Sequence, residues 1–174
     1  MTETTFLNYQ ERASRTMASK EGRGADGAHM ALGFTSELGE MYKGIENNDL
    51  ENTREEHGDT LWYVANECNI YGFIFSDLYI QAINSVPLSF DLHNIVDLHK
   101  REWIYGKVMD KRLLHIELQA LMQHLVEIAY LRGFDFEESL KINIAKLYKR
   151  YPDKYSHEDA LNRDLDAEAE ILKG

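Results

Sequence analysis

The chain contains only two prolines, Pro87 and Pro152, among its 174 residues. Proline breaks a helix interior, because it lacks the backbone N–H and its ring clashes with the preceding turn. In the long stretch before Pro87, apolar residues recur at i, i+3, i+4 and i+7, the spacing of one helix face. Two such stripes are Leu38, Met41, Tyr42 and Ile45, and Leu61, Val64, Ala65 and Cys68. These features predict an all-α fold, a bundle of helices.

The apolar spacing and the turn residues predict where the helices lie. The Gly-rich stretch 22–27 contains G-x-G-x-x-G, but no apolar strand precedes it, so a flexible loop is favoured over a dinucleotide-binding turn. Ser156 to Asp159 reads as a capping box that begins an acidic C-terminal helix. The predicted helices span about 6–20, 28–46, 53–71, 76–85, 91–109, 112–132, 136–150 and 157–172.

The second half of the chain resembles the first. Gly72-Phe-Ile-Phe recurs 61 residues later as Gly133-Phe-Asp-Phe, and Glu56 then falls on Glu117. We interpret this as an internal duplication inside a single domain of residues 1–174, with halves at about 28–85 and 91–150. Ala120 stands where the first half has Asp59, so the second half is predicted to hold no metal site.

Composition limits the classes of partner. The formal net charge is −11, so the chain as a whole lacks the basic footprint of a nucleic-acid-binding protein, although a local basic patch could still bind phosphates. No apolar run approaches the ~20 residues that span a bilayer. The N-terminus shows no signal peptide, and we expect a cytoplasmic protein. Cys68 is the only cysteine and falls in an apolar stripe, so it is expected in the core.

Two pairs of acids stand at helical spacing, Glu37 with Glu40 and Glu56 with Asp59. Residues at i and i+3 share a helix face, so all four could converge if the two helices form a hairpin. Oxygen-only ligands favour Mg²⁺ or Mn²⁺. With 30 acids in the chain, one such pair carries little weight, and surface charge is the alternative. Glu56 has a competing role, because Thr53-x-x-Glu56 also reads as a capping box.

The surrounding residues resemble the MazG-like family of all-α nucleoside triphosphate pyrophosphohydrolases. The family pattern E-x-x-E, a gap, then E-x-x-D before an apolar aromatic run appears as residues 37–40 and 56–63. Tyr9, Gln10 and the residues after them look like the N-terminal helix of phage-type members. The segment 143–153, NIAKLYKRYPD, is similar to the family's later helix.

This resemblance implies hydrolysis between the α- and β-phosphates of a nucleoside triphosphate, which gives a monophosphate and pyrophosphate. It implies Mg²⁺, with Mn²⁺ possible, on Glu37, Glu40, Glu56 and Asp59. Either Glu37 or Glu40 would orient or deprotonate the attacking water. It also implies a homo-oligomer, a dimer or a dimer of dimers. The base and sugar of the nucleotide stay open.

Further residues are candidates for substrate contacts. Asn143, Lys146 and Arg150 form one polar stripe that could clamp phosphates, or a solvated helix face. Trp62 and Asn66, one turn apart, could stack on and hydrogen-bond a base, although a core position for Trp62 is the simpler interpretation. The alternative function is a non-catalytic helical interaction or scaffold module with an acidic surface.

Overall fold

The computed structural model describes residues 3–19 and 22–173. In these residues the backbone forms nine α-helices and no strand, which confirms the predicted all-α class. In the same part of the chain, no helix has both the length and the apolar character of a membrane span. The helices are α1 (Tyr9–Ser14), α2 (Arg23–Glu46), α3 (Leu50–Tyr71), α4 (Phe75–Asn84), α5 (Leu92–Trp103), α6 (Lys111–Arg132), α7 (Phe136–Arg150), α8 (His157–Leu161) and α9 (Leu165–Lys173).

Helices α2 and α3 form a tight antiparallel hairpin. Asn48, in the connecting turn, has a left-handed φ of 55°, a conformation that asparagine tolerates. At Gly44, a Cβ atom would lie 2.8 Å from the Thr53 hydroxyl, so the two helices approach where α2 has no side chain. The hairpin therefore faces the C-terminal half of α2 toward the N-terminal half of α3.

The start of α3 corrects the predicted capping box. The helix begins at Leu50, and Asp49 is its N-cap, with a side chain that accepts a hydrogen bond from the Asn52 backbone N–H at 3.0 Å. The Thr53 hydroxyl donates instead to the Asp49 carbonyl at 2.6 Å. Glu56 therefore has no capping role, because the acidic residue that precedes the helix already satisfies the free N–H group.

The Gly-rich stretch also differs from its prediction. Helix α2 begins at Arg23, so most of residues 22–27 lie in its first turns and not in a flexible loop. Gly27 faces the Tyr71 hydroxyl and the imidazole of His99, whose Nδ1 would be 2.9 Å from a Cβ atom. The glycine lets polar side chains of α3 and α5 approach the backbone of α2.

Other helix ends differ from the sequence-based boundaries. Helix α1 is shorter than the predicted 6–20, whose last residue lies outside the described residues, and α5 ends at Trp103 rather than near 109. The Ser156 hydroxyl caps α8 by accepting from the Asp159 backbone N–H, as predicted. The single helix predicted at 157–172 is wrong, because Asp164 accepts from the Ala167 backbone N–H at 3.1 Å and begins a separate helix, α9.

Helix α3 lies at the centre, in contact with α1, α2, α7 and α9. Gly72 and Gly133 end α3 and α6 with left-handed φ values of 77° and 75°, and Phe75 and Phe136 begin the next helices with buried rings. This local likeness fits the proposed duplication. Helix α5, however, packs mainly on α2, so both halves contribute to one hydrophobic core, which includes Cys68.

Candidate metal and nucleotide site

The α2–α3 hairpin brings three carboxylates together. Glu37 on α2, and Glu56 and Asp59 on α3, each offer an oxygen, and these oxygens all lie within 4.8 Å of one another. Glu40 lies one turn after Glu37, is exposed, and lines the same pocket without belonging to this group. The structure thus gathers three of the four predicted metal ligands, with the fourth at the side.

Glu37 and Glu56 are close enough for a hydrogen bond between their carboxyl groups. Burial raises the pKa of Glu56 to about 9, and its hydrogen bond with Glu37 and the charge of Asp59 act in the same direction. Burial also raises the pKa of Glu37, against the effect of its hydrogen bond with Glu56. Like charges held near each other cannot all ionise without a compensating cation.

Helix α7 holds Asp59 from the other side. The Asn143 amide donates to Asp59 Oδ1 at 2.7 Å and accepts from the Tyr9 hydroxyl at 2.8 Å. Gly58 makes this close approach possible, because a Cβ atom there would lie 2.9 Å from the Ser139 carbonyl oxygen. Asn143 is thus buried behind the carboxylates and is not part of the pocket lining.

Lys146 is buried in the same layer. Its ammonium donates to Asp59 Oδ2 at 2.5 Å and to Glu55 Oε1 at 3.0 Å. Burial acts to lower the pKa of Lys146, but the charges of Asp59 and Glu55 outweigh it and raise the pKa. Its side chain is only 2% exposed and does not line the pocket, so the structure places this cation against the carboxylates.

A pocket of about 450 Å³ opens in front of the carboxylates. Trp62 lines it, and its indole N–H donates to the Ala13 carbonyl and the Thr16 hydroxyl at 3.1 and 2.9 Å. Asn66 is fully buried away from the pocket, where its amide donates to the Trp62 carbonyl at 3.0 Å. The remaining ring-bearing residues of the lining are His29, Tyr63, Tyr151 and Tyr155.

Tyr63 also lines the pocket, although the spacing of the acids and of the apolar residues does not predict it as a site residue. Burial raises its pKa to about 12, and the nearby charges of Glu37 and Asp59 add to the effect. Its ring lies edge-on to Trp62 with centroids 4.9 Å apart. A Cβ atom at Gly33 would overlap the Tyr63 ring, so this glycine of α2 makes room for it. The aromatic run after Asp59 was the sequence signal for this wall.

Two arginines line the pocket near the C-terminal segment. Arg150, at the end of α7, was predicted as a phosphate contact, and Arg163, between α8 and α9, was not. Both guanidinium groups donate to the carboxylate of Glu168 on α9. Arg163 belongs to no apolar stripe or motif, so only the fold reveals its position.

The donor set fits a divalent cation. Carboxylate oxygens are the ligands that Mg²⁺ and Mn²⁺ prefer, and the raised pKa values of Glu37 and Glu56 indicate that a positive charge beside them would stabilise the ionised cluster. Glu37, Glu56 and Asp59 could hold such an ion, while Lys146 and Asn143 orient Asp59 from behind.

The fold and the site together define an all-α domain in which a carboxylate cluster and several aromatic side chains line one pocket. Residues 27–85, hereafter the MazG-like segment, match the model of the MazG nucleotide pyrophosphohydrolase domain, which confirms the predicted resemblance to the MazG-like family for this segment. The match covers about a third of the chain, from α2 to the end of α4, and includes all four predicted metal ligands. No curated protein and no solved structure matches the chain.

Proposed function

We propose that this protein hydrolyses a (deoxy)nucleoside triphosphate between its α- and β-phosphates, with Mg²⁺ or Mn²⁺ as the cofactor, and so serves control of the nucleotide pool. The observation that carries the proposal is the group of three carboxylate oxygens within 4.8 Å of one another inside the MazG-like segment. A pocket of about 450 Å³ with aromatic walls is suited to a nucleotide.

In this proposal, Glu37, Glu56 and Asp59 hold the ion. When bound, it would neutralise charge on the phosphates and lower the pKa of a coordinated water. Glu40 lies outside the three-carboxylate group and in the pocket lining, so it is the acid free to accept a proton from the attacking water. Glu37 is the alternative base. Trp62 and Tyr63 offer ring faces and edges for the nucleotide base.

The test is pyrophosphate release from a panel of ribo- and deoxynucleoside triphosphates, with and without Mg²⁺. We expect Mg²⁺-dependent release from at least one of them, and a loss of 10²-fold or more in Asp59→Asn, because this change weakens both the ligand and its ion pair with Lys146. Glu51→Gln is the matched control, since Glu51 is an exposed acid on the first turn of α3.

Comparison of Glu37→Gln with Glu40→Gln assigns the base. If Glu40 accepts the proton, Glu40→Gln keeps metal affinity and lowers turnover, whereas Glu37→Gln weakens both. If no triphosphate is cleaved, and Asp59→Asn leaves metal binding unchanged, the enzyme proposal fails and the scaffold alternative takes its place. The homo-oligomer and the cytoplasmic location stay predictions, and sedimentation of the purified protein tests the first.

A further inference from the structure

A buried carboxylate on α9, that of Glu168, holds two arginines that line the pocket. Arg150 Nε and Nη2 donate to Glu168 Oε1 and Oε2 at 2.9 and 2.5 Å, and Arg163 Nη2 donates to Oε2 at 2.7 Å. The Glu168 side chain is only 4% exposed, whereas that of Arg163 is 42% exposed. One acid therefore holds two guanidinium groups, one of which extends toward solvent at the pocket.

Arg150 and Arg163 bring positive charge to a pocket that carboxylates line. Among the described residues, five carboxylates line the pocket, and Arg150 and Arg163 are the only lysines or arginines that do so. Lys146 is directed at Asp59 and Glu55 and is almost completely buried. A triphosphate that enters beside the carboxylates therefore meets these two guanidinium groups as its protein cations. The carboxylates are Glu37, Glu40, Glu55, Glu56 and Asp59.

We infer that Arg163 binds the terminal phosphates of the substrate together with Arg150, and that Glu168 is the positioning residue that holds both. The inference rests on the proposed function and adds a phosphate contact from outside the MazG-like segment. A guanidinium has five N–H donors in a planar fork, so each arginine keeps donors for phosphate oxygens after it has bonded to Glu168. Two guanidinium groups suit the β- and γ-phosphates, which leave as pyrophosphate.

The ionised carboxylate of Glu168 is suited to position both arginines. Burial acts to raise its pKa, but the hydrogen bonds and charges of Arg150 and Arg163 outweigh it and lower the pKa to about 2. The carboxylate is therefore ionised at neutral pH, and it offsets the repulsion between two adjacent cations. Helix α9 is docked independently of this pair, because Arg54 Nη2 donates to the Leu172 carbonyl at 2.5 Å and the Leu172 side chain is buried.

The variants separate binding from folding. Arg163→Ala removes one guanidinium and leaves the Arg150–Glu168 pair that holds α7 to α9. Arg163→Lys keeps the charge and loses the fork. Glu168→Gln removes the shared acceptor charge. The matched controls are Arg112→Ala, at an exposed arginine on the first turn of α6, and Glu170→Gln, at an exposed acid on α9.

Two measurements apply to each variant. The first is the affinity for inorganic pyrophosphate in the presence of Mg²⁺, by calorimetry. The second uses the triphosphate that the wild type cleaves best. It compares kcat/KM for that triphosphate with the affinity for the nucleoside diphosphate of the same base and sugar. Unfolding temperatures show whether α9 stays docked.

We expect Arg163→Ala to weaken pyrophosphate binding by about 10- to 100-fold, the loss of a charged hydrogen-bonding partner, and Arg163→Lys to fall between it and the wild type. Glu168→Gln should also weaken binding, and both controls should match the wild type. Wild-type pyrophosphate affinity in Arg163→Ala would overturn the inference. Tighter binding in Glu168→Gln would also overturn it, because Glu168 would then compete with the phosphates. If the wild type binds pyrophosphate through Arg163 but cleaves no triphosphate, only the proposed function fails.

Discussion

Replacement of Glu56 by glutamine should stabilise the metal-free protein. Burial raises the pKa of Glu56 from 4.5 to about 9, so the folded chain holds this proton more tightly than the unfolded chain does. The stability from that proton is complete below about pH 4.5 and is lost as the pH rises toward about 9. A glutamine amide can donate to Glu37 as the protonated carboxyl does, and it cannot ionise.

The size of the effect follows from the pKa. At about pH 7.5 the unfolded carboxyl lies about three pH units above its pKa, and at ~1.36 kcal/mol per unit this costs the wild type at most about 4 kcal/mol. Water in the open pocket screens part of that cost, so we expect about 2 kcal/mol. For a chain of this size, 2 kcal/mol corresponds to about 4–8 °C in the unfolding temperature.

The assay is urea unfolding with a chelator at about pH 5, 7 and 9. The free energy of unfolding of the wild type should fall relative to Glu56→Gln as the pH rises, and Glu51→Gln should follow the wild type. Excess Mg²⁺ should reverse the order, because a ligand at 100 times its Kd adds about 2.7 kcal/mol to a protein that binds it. Two results would refute the inference that folded Glu56 holds a proton at neutral pH. One is a Glu56→Gln protein that is less stable than the wild type in chelator at about pH 7. The other is a free energy of unfolding that changes with pH as steeply in Glu56→Gln as in the wild type.

Two further predictions concern the helices that hold the site. Burial lowers the pKa of His57 to about 4, so its ring should stay neutral in the folded protein down to about pH 4. Because the unfolded chain takes up this proton near pH 6.5, the protein should lose about 3 kcal/mol of stability as the pH falls from about 6.5 to 4. An NMR titration of the His57 ring with a midpoint near 6.5 would contradict this. Gly58→Ala places a Cβ 2.9 Å from the Ser139 carbonyl and should cost about 1–3 kcal/mol by urea unfolding, with a loss of activity because Asn143 is pushed from Asp59. Gly39→Ala, where a Cβ meets no atom within 4 Å, is its control, and equal stability of the two variants would be the contrary result.

Local spacing was enough to predict most helices, because apolar stripes and αL glycines act within one or two turns. It could not decide between the two roles of Glu56. Asp49, four residues before Thr53, also fits an N-cap. Only the tight turn at Asn48 shows that the helix begins directly after Asp49. The break before α9 was missed for a similar reason: Asp164 competes as a local cap inside a sequence that otherwise reads as helical.

The candidate site shows the same limit at longer range. Spacing predicts that Lys146 and Arg150 share a helix face, but it does not say which neighbours take their charges. In the fold, Asp59 and Glu55 bind Lys146, and Glu168 binds Arg150. These partners lie 18 to 91 residues away in sequence, and no periodic signal joins them.

The acidic and the basic residues of the pocket come from two different parts of the chain. The carboxylates come from α2 and α3, inside the MazG-like segment, and the arginines that line the pocket come from the end of α7 and from the α8–α9 connection, outside it. In the proposed function, neither part alone supplies groups for both a cation and the phosphates. The proposed chemistry therefore requires that α9 stay docked on α7 and α3, and Glu168 is the residue through which that docking reaches the pocket. A chain shortened before Arg163 should keep its carboxylates and its affinity for Mg²⁺, yet lose most of its affinity for pyrophosphate.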